Sequence, residues 1–149
     1  MSERPSQSSN VELIEELHRR QAVMYAGGPF EPVLELLARD ILWHVPGSSP
    51  IAGDHRGVDA VVGYFQRRRE LARCTMRMRP GEVIAGEDVV VQLVDGSLND
   101  ATETLRWRTV GVYRIREQRV SEVWLVPVEL DLFDRIWTPQ DTTPPSVAG

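Results

Sequence analysis

The stretch Ile41–Phe65, ILWHVPGSSPIAGDHRGVDAVVGYF, decides how the rest of the chain is arranged. Ile41, Leu42, Trp43 and Val45 form an apolar, partly β-branched run, which reads as a strand that Pro46-Gly47 must end. Between Gly47 and Gly57, three Gly, two Ser and one Pro rule out a long regular element. Asp59 follows as a first-turn acid, and Val61, Val62, Tyr64 and Phe65 supply the buried stripe of a helix. Such a unit either lines a pocket with Trp43 and His44 or is an ordinary strand-to-helix connection.

Upstream, Asn10 reads as the N-cap of a helix to about Ala26, with Leu13, Ile14, Leu17, Gln21 and Met24 on one face. Gln21 breaks this apolar stripe, either at its margin or reaching into a cavity. His18, flanked by Arg19, is expected at the surface. Gly27-Gly28-Pro29 ends the helix, and Glu31–Ala38 reads as a second one. Downstream, the third helix runs to about Ala72, with Arg67-Arg68-Arg69 as a solvated face. Helical spacing then gives way to alternation: Met76 and Met78 against Arg77 and Arg79, a break or bulge at Pro80-Gly81, a turn at Gly86-Glu87-Asp88, and a strand Val89–Leu93. Asp95-Gly96 and Asn99-Asp100 mark a further turn region. Leu105–Ile115 is the clearest strand, with Trp107, Thr109, Gly111 and Tyr113 on one face and arginines edging the other. Glu117-Gln118 turns the chain into Val120–Val128, whose few charges predict cover on both faces. Leu132, Phe133, Ile136 and Trp137 make a last helical turn or two. Helices first and antiparallel strands afterwards predict an α+β layer. One domain over residues 10–138 is expected, between disordered tails at 1–9 and 139–149.

Composition narrows the function. With 149 residues, the chain is long enough for a real core. The net charge of −5 provides no basic excess to displace counterions from nucleic acid. All 17 basic residues are Arg, so lysine-dependent chemistry (Schiff bases, lysine-bound pyridoxal phosphate, a P-loop) is excluded. Cys74 is the single cysteine, which excludes an internal disulfide and a thiolate cluster. The three histidines lack metal-ligand spacing, so neither metal nor cofactor is expected. No apolar run approaches the roughly 20 residues of a membrane span and no signal-peptide pattern opens the chain, so a cytoplasmic protein is expected.

The set Trp43-His44-Val45-Pro46-Gly47, Ala52-Gly53-Asp54-His55-Arg56-Gly57, Val112-Tyr113-Arg114-Ile115-Arg116 with Val120, Glu129, and Phe133-Asp134-Arg135-Ile136-Trp137 resembles the SnoaL-like polyketide cyclase branch of the nuclear-transport-factor-2-like superfamily. The resemblance spans roughly Val11 to Trp137. It implies a cone: a strongly bent, mostly antiparallel sheet wrapped around three helices, with a deep apolar pocket. The general base of ketosteroid isomerase-like members would fall at Val45 and a donor position at Gly111, neither of which can serve. The acidic residue at the end of the last strand, which resembles the acid/base position of polyketide cyclases, remains as Glu129. Its apolar setting, LVPVEL, is expected to raise its pKa by burial.

The site expected from these readings has Glu129 and His44 as catalytic candidates, with Trp43 inside and His44 at the rim by strand alternation. Gln21, Met24, Trp43, Phe65, Met76, Met78 and Trp107 are candidate lining, and Thr109 and Gly111 leave room for a ligand. Whether Val123 and Leu125 or Trp124 and Val126 face the cavity depends on a bulge in the last hairpin. The family pattern selects Val123 and Leu125. The function expected is a cofactor-independent cyclase or isomerase acting on an apolar, polyketide-like molecule, as a homodimer paired through the outer sheet face. A noncatalytic binding or dimerisation module and an epoxide-opening cyclase or hydrolase are the alternatives.

Overall fold

A computed structural model describes residues 7–139; residues 1–6 and 140–149, to which most of the expected tails belong, lie outside the described residues. The first helix, α1 (Gln7–Tyr25), begins three residues before Asn10, so Asn10 is not its cap. Asn10 is buried, and its side-chain amide donates to the Glu87 carbonyl at 2.8 Å, tying the helix to a hairpin turn of the sheet. A single turn, α2 (Glu31–Leu34), follows, and the chain is already extended at Leu37. The second helix is therefore shorter than its periodicity predicts. The Leu36 carbonyl accepts from the Val120 amide at 2.9 Å, and Leu37 pairs with Val120, which draws this segment into the sheet.

Next come β1 (Leu37–Val45), β2 (Gly53–Arg56), α3 (Val58–Leu71), β3 (Arg77–Ala85), β4 (Val89–Asn99), β5 (Thr104–Arg116), β6 (Arg119–Pro127) and α4 (Leu130–Trp137). The six strands form one curved, unclosed sheet in the order β2-β1-β6-β5-β4-β3. Every neighbouring pair is antiparallel except β1 and β6. The predicted α+β layer and bent sheet are thus present.

Register decides what the sheet presents inward. Glu117 and Gln118 both adopt positive φ, 53° and 62°, the two-residue turn whose twist matches a tight hairpin. Ile115 pairs with Val120 but Arg114 pairs with Glu122, so Ser121 is an extra residue, and its hydroxyl bonds the Arg114 carbonyl at 3.2 Å. That bulge turns Val123 and Leu125 inward and Trp124 and Val126 outward. A second irregularity between Pro80 and Val83 matches the predicted bulge.

The expected turn around Asp95-Gly96 does not form, because β4 runs unbroken to Asn99. Gly96 is there for a different reason: a Cβ on it would collide with the Trp107 indole from the paired strand. The loop after β1 is anchored to α4. The Ser48 amide donates to the Asp134 carboxylate at 3.2 Å, and Gly47, at φ 99°, passes so close to that carboxylate that a side chain would strike it.

Candidate functional site

The helices and the concave face of the sheet meet around a small interior cavity of about 20 Å³, the room of one water-sized group. Of the candidate lining residues, Gln21 reaches it from α1, Trp43 from β1, Met78 from β3, Thr109 from β5 and Leu125 from β6. Trp107 also lines it, packed edge-on against Trp137 of α4 at 5.2 Å between ring centres. Met24, Phe65, Met76 and Val123 are buried but pack the surrounding core instead of lining this cavity. Phe65 supports the wall indirectly, edge-on to Trp43 at 5.2 Å.

Gly111 leaves no room for a ligand, because the space is already taken. A Cβ there would lie 2.5 Å from the Tyr113 hydroxyl. The phenol of Tyr113 lies back along its own strand into the void that Gly111 leaves, and its oxygen is 3.3 Å from Nε2 of His18. Both groups line the cavity. His18 is 6% exposed, contrary to its expected surface position. Burial pushes its pKa down from 6.5 to about 4, so it is neutral at pH 7. Burial likewise raises the pKa of Tyr113, which keeps its proton. A hydroxyl therefore stands where the matching glycine has no side chain.

Arg68 is the second surprise. The run Arg67-Arg68-Arg69 suggests a solvated face, yet Arg68 is 5% exposed and lines the cavity. Its Nη1 donates to the Tyr64 hydroxyl at 2.8 Å, and its guanidinium lies over Trp137, 4.8 Å from the ring centre.

Both catalytic candidates sit outside this interior. His44 faces outward, as alternation requires. Its Nδ1 is 2.7 Å from Asp54 and its Nε2 2.7 Å from Glu122, and its ring stacks on Trp124 at 5.4 Å. Partial burial would lower its pKa, but the two carboxylates outweigh it and hold the imidazole above its ordinary value. With Asp54 taken by His44, His55 bonds the Ile51 carbonyl at 3.0 Å and stacks on Tyr64 at 4.8 Å.

Glu129 is exposed, at the residue preceding α4, so the burial expected from its apolar setting does not occur. It borders a larger open groove of about 660 Å³ with Leu132 and Val128. Met78, Gly96 and Trp107 line both the groove and the interior cavity and form the partition between them. Arg77, Arg79, Arg106 and Arg108 also border the groove, against only Asp95 and Glu129. Asp95 is paired with Arg108 at 2.8 Å. Among the described residues no cluster of His, Cys, Asp and Glu is placed to hold a metal ion, and no helix is long and apolar enough to cross a membrane.

A bent, unclosed sheet wrapped over α1 and α3, with α4 packed across its inner face, defines the nuclear-transport-factor-2-like cone. A family model of the SnoaL-like domain matches residues 18–123, and the chain belongs to that family. No curated protein matches the chain. Several solved structures share the fold. Bal32a, from a soil-derived mobile gene cassette, is 24% identical with a TM-score of 0.76, over 87% of this chain and 97% of its own. TerC, co-crystallised with polyporic acid, is 17% identical with a TM-score of 0.71, over 86% and 98%. A candidate SnoaL-like polyketide cyclase from Jannaschia sp. CCS1 is 14% identical with a TM-score of 0.71, over 93% and 99%.

Proposed function

We propose that this SnoaL-like protein is a cofactor-independent cyclase or isomerase that holds an apolar, polyketide-like molecule against the inner end of the cone. The observation that carries this reading is the Tyr113–His18 pair, which lines the cavity beside Gly111. With the proton of neutral His18 on Nδ1, toward the Ile14 carbonyl, Nε2 accepts from the phenol O–H at 3.3 Å, and a substrate carbonyl that takes its place receives the same O–H. Such a donor stabilises the oxyanion that builds up during enolisation or ring closure. Glu129, on the groove side of the partition, is the carboxylate for taking and returning the substrate proton. Confinement of a flexible chain in the groove, against Met78, Trp107 and Leu132, supplies the remaining advantage.

Turnover of a linear β-polyketone precursor tests these roles. Tyr113→Phe, which keeps the ring and removes the donor, is expected to lower kcat by roughly 10²-fold with little change in KM. Glu129→Gln should lower kcat by a similar factor, roughly 10²-fold. Turnover unchanged by both variants removes the assigned chemistry. A specific observation favours the noncatalytic module as second reading: the interior leaves only about 20 Å³. Binding of the precursor without any acceleration selects that module.

We also propose a homodimer through the outer sheet face. Val91, Leu93, Val110, Val112, Trp124 and Val126 occupy adjoining cross-strand positions there. Leu93 is 41% and Val126 48% exposed in the single chain. An antiparallel sheet with an apolar outer face calls for a covering surface, and a second copy is self-complementary. Sedimentation should show a dimer at micromolar concentration and a folded monomer for the Leu93→Asp, Val126→Asp double variant. A wild-type monomer defeats the proposal.

A further inference from the structure

Resting on the reading of the cone interior as the substrate site, we infer that the substrate carries an acidic oxygen function, a carboxylate or an acidic enol, whose anion is received by Arg68. The guanidinium is buried, and among the described residues no carboxylate lies within ion-pair distance of it. A buried charge without a counter-ion is costly, and three aromatic rings with the neutral phenol oxygens of Tyr64 and Tyr25 do not neutralise it. Its Nε makes no hydrogen bond, although it is sealed from solvent.

The surroundings are rich in donors and poor in acceptors. Nε1 of Trp43, which lines the same cavity, is also buried and unbonded, as is Nε1 of Trp137 beside the guanidinium. Indole and guanidinium groups have no acceptor to offer one another, and the acceptors beside them, the Tyr25 and Tyr64 hydroxyls, are neutral, so an occupant must bring the negative charge. A cavity of about 20 Å³ admits one oxygen-sized group, not a ring. The apolar body of the ligand then lies at the partition of Met78 and Trp107, whose side chains must part to admit it. On its far side, four arginines against two carboxylates make the groove net positive in a chain of net charge −5. An anion is therefore favoured on both sides of the partition.

Calorimetry with 2-naphthoate and its neutral isostere 2-naphthamide tests the inference on the full chain. Wild type is expected to bind naphthoate at least roughly tenfold more tightly than the amide, since a charge-assisted pair is lost with the anion. Arg68→Met should bring the ratio close to one, and Arg68→Lys should keep part of it. Where Arg68→Met fails to fold, Arg68→Lys and the groove variants Arg77→Gln and Arg106→Gln decide between the two locations: a preference weakened by the first and kept by the other two supports Arg68. Equal binding of acid and amide overturns the anion assignment while the cone remains a binding site, and binding of neither overturns both. A preference that survives Arg68→Met and disappears in Arg77→Gln or Arg106→Gln places the anion in the groove and overturns the assignment to Arg68.

Discussion

Trp107→Ala should destabilise the protein by about 3–5 kcal/mol, the cost of removing a large buried aromatic side chain and leaving its cavity unfilled. Trp107 lies flat over Gly96, edge-on to Trp137 at 5.2 Å and to Phe133 at 6.4 Å. These two residues are the buried anchors of α4, so the truncation removes what that helix packs against. It also deletes the largest part of the partition, joining the interior cavity to the groove. Denaturant unfolding should show the loss of stability, and binding of a hydrophobic dye should rise at the same time. Trp107→Phe, which keeps an aromatic wall, should cost much less. A change below about 1 kcal/mol for Trp107→Ala would show that neither α4 nor the partition depends on this residue.

The second large effect is acid destabilisation through His18. Between its ordinary value of 6.5 and its folded value of about 4, the unfolded chain binds a proton that the folded chain excludes. Stability from this group is therefore full at pH 7, declines as pH falls through 6.5 towards 4, and levels off below that. The total is about 3 kcal/mol. His44 acts with the opposite sign. Its raised value, due to Glu122 and Asp54 against partial burial, adds stability below pH 6.5 that is lost as pH rises through the folded value. The difference between wild type and His18→Gln isolates the first effect. Unfolding free energies measured from pH 4 to pH 7 should converge for the two proteins at the acid end. Parallel curves would show that His18 is not held neutral by burial.

How far the residues announce this arrangement depends on which interaction decides each element. The alternation of Trp107, Thr109, Gly111 and Tyr113 is legible because β5 has one covered face. Trp43 inward and His44 outward follow from the same period. The facing of Val123 and Leu125 is not legible locally, since it rests on the extra residue Ser121. The start of β1 at Leu37 was equally out of reach, because pairing with β6 overrides a helical pattern.

The site was less legible than the fold. Arg68 falls three residues after Phe65 and seven after Val61, on the buried stripe of α3, so periodicity pointed inward while charge pointed outward. His18 likewise follows Ile14 by four residues on the buried face of α1. Tyr113 filling the void at Gly111 requires the strand geometry, and no spacing rule would place it there. Glu129 looked buried because its neighbours in LVPVEL are apolar, yet β6 ends at Pro127 and Val128 itself is 58% exposed.

The claim at the centre of this account is that ligand meets the buried donors inside the cone. Long-range proton–nitrogen NMR of the three histidine side chains, recorded while 2-naphthoate is added, tests it most directly. The account predicts that the His18 resonances, those of a neutral ring at pH 7, move with saturation while those of the outward-facing His44 stay fixed. Saturable binding that leaves His18 unchanged, or moves His44 in its place, would contradict it.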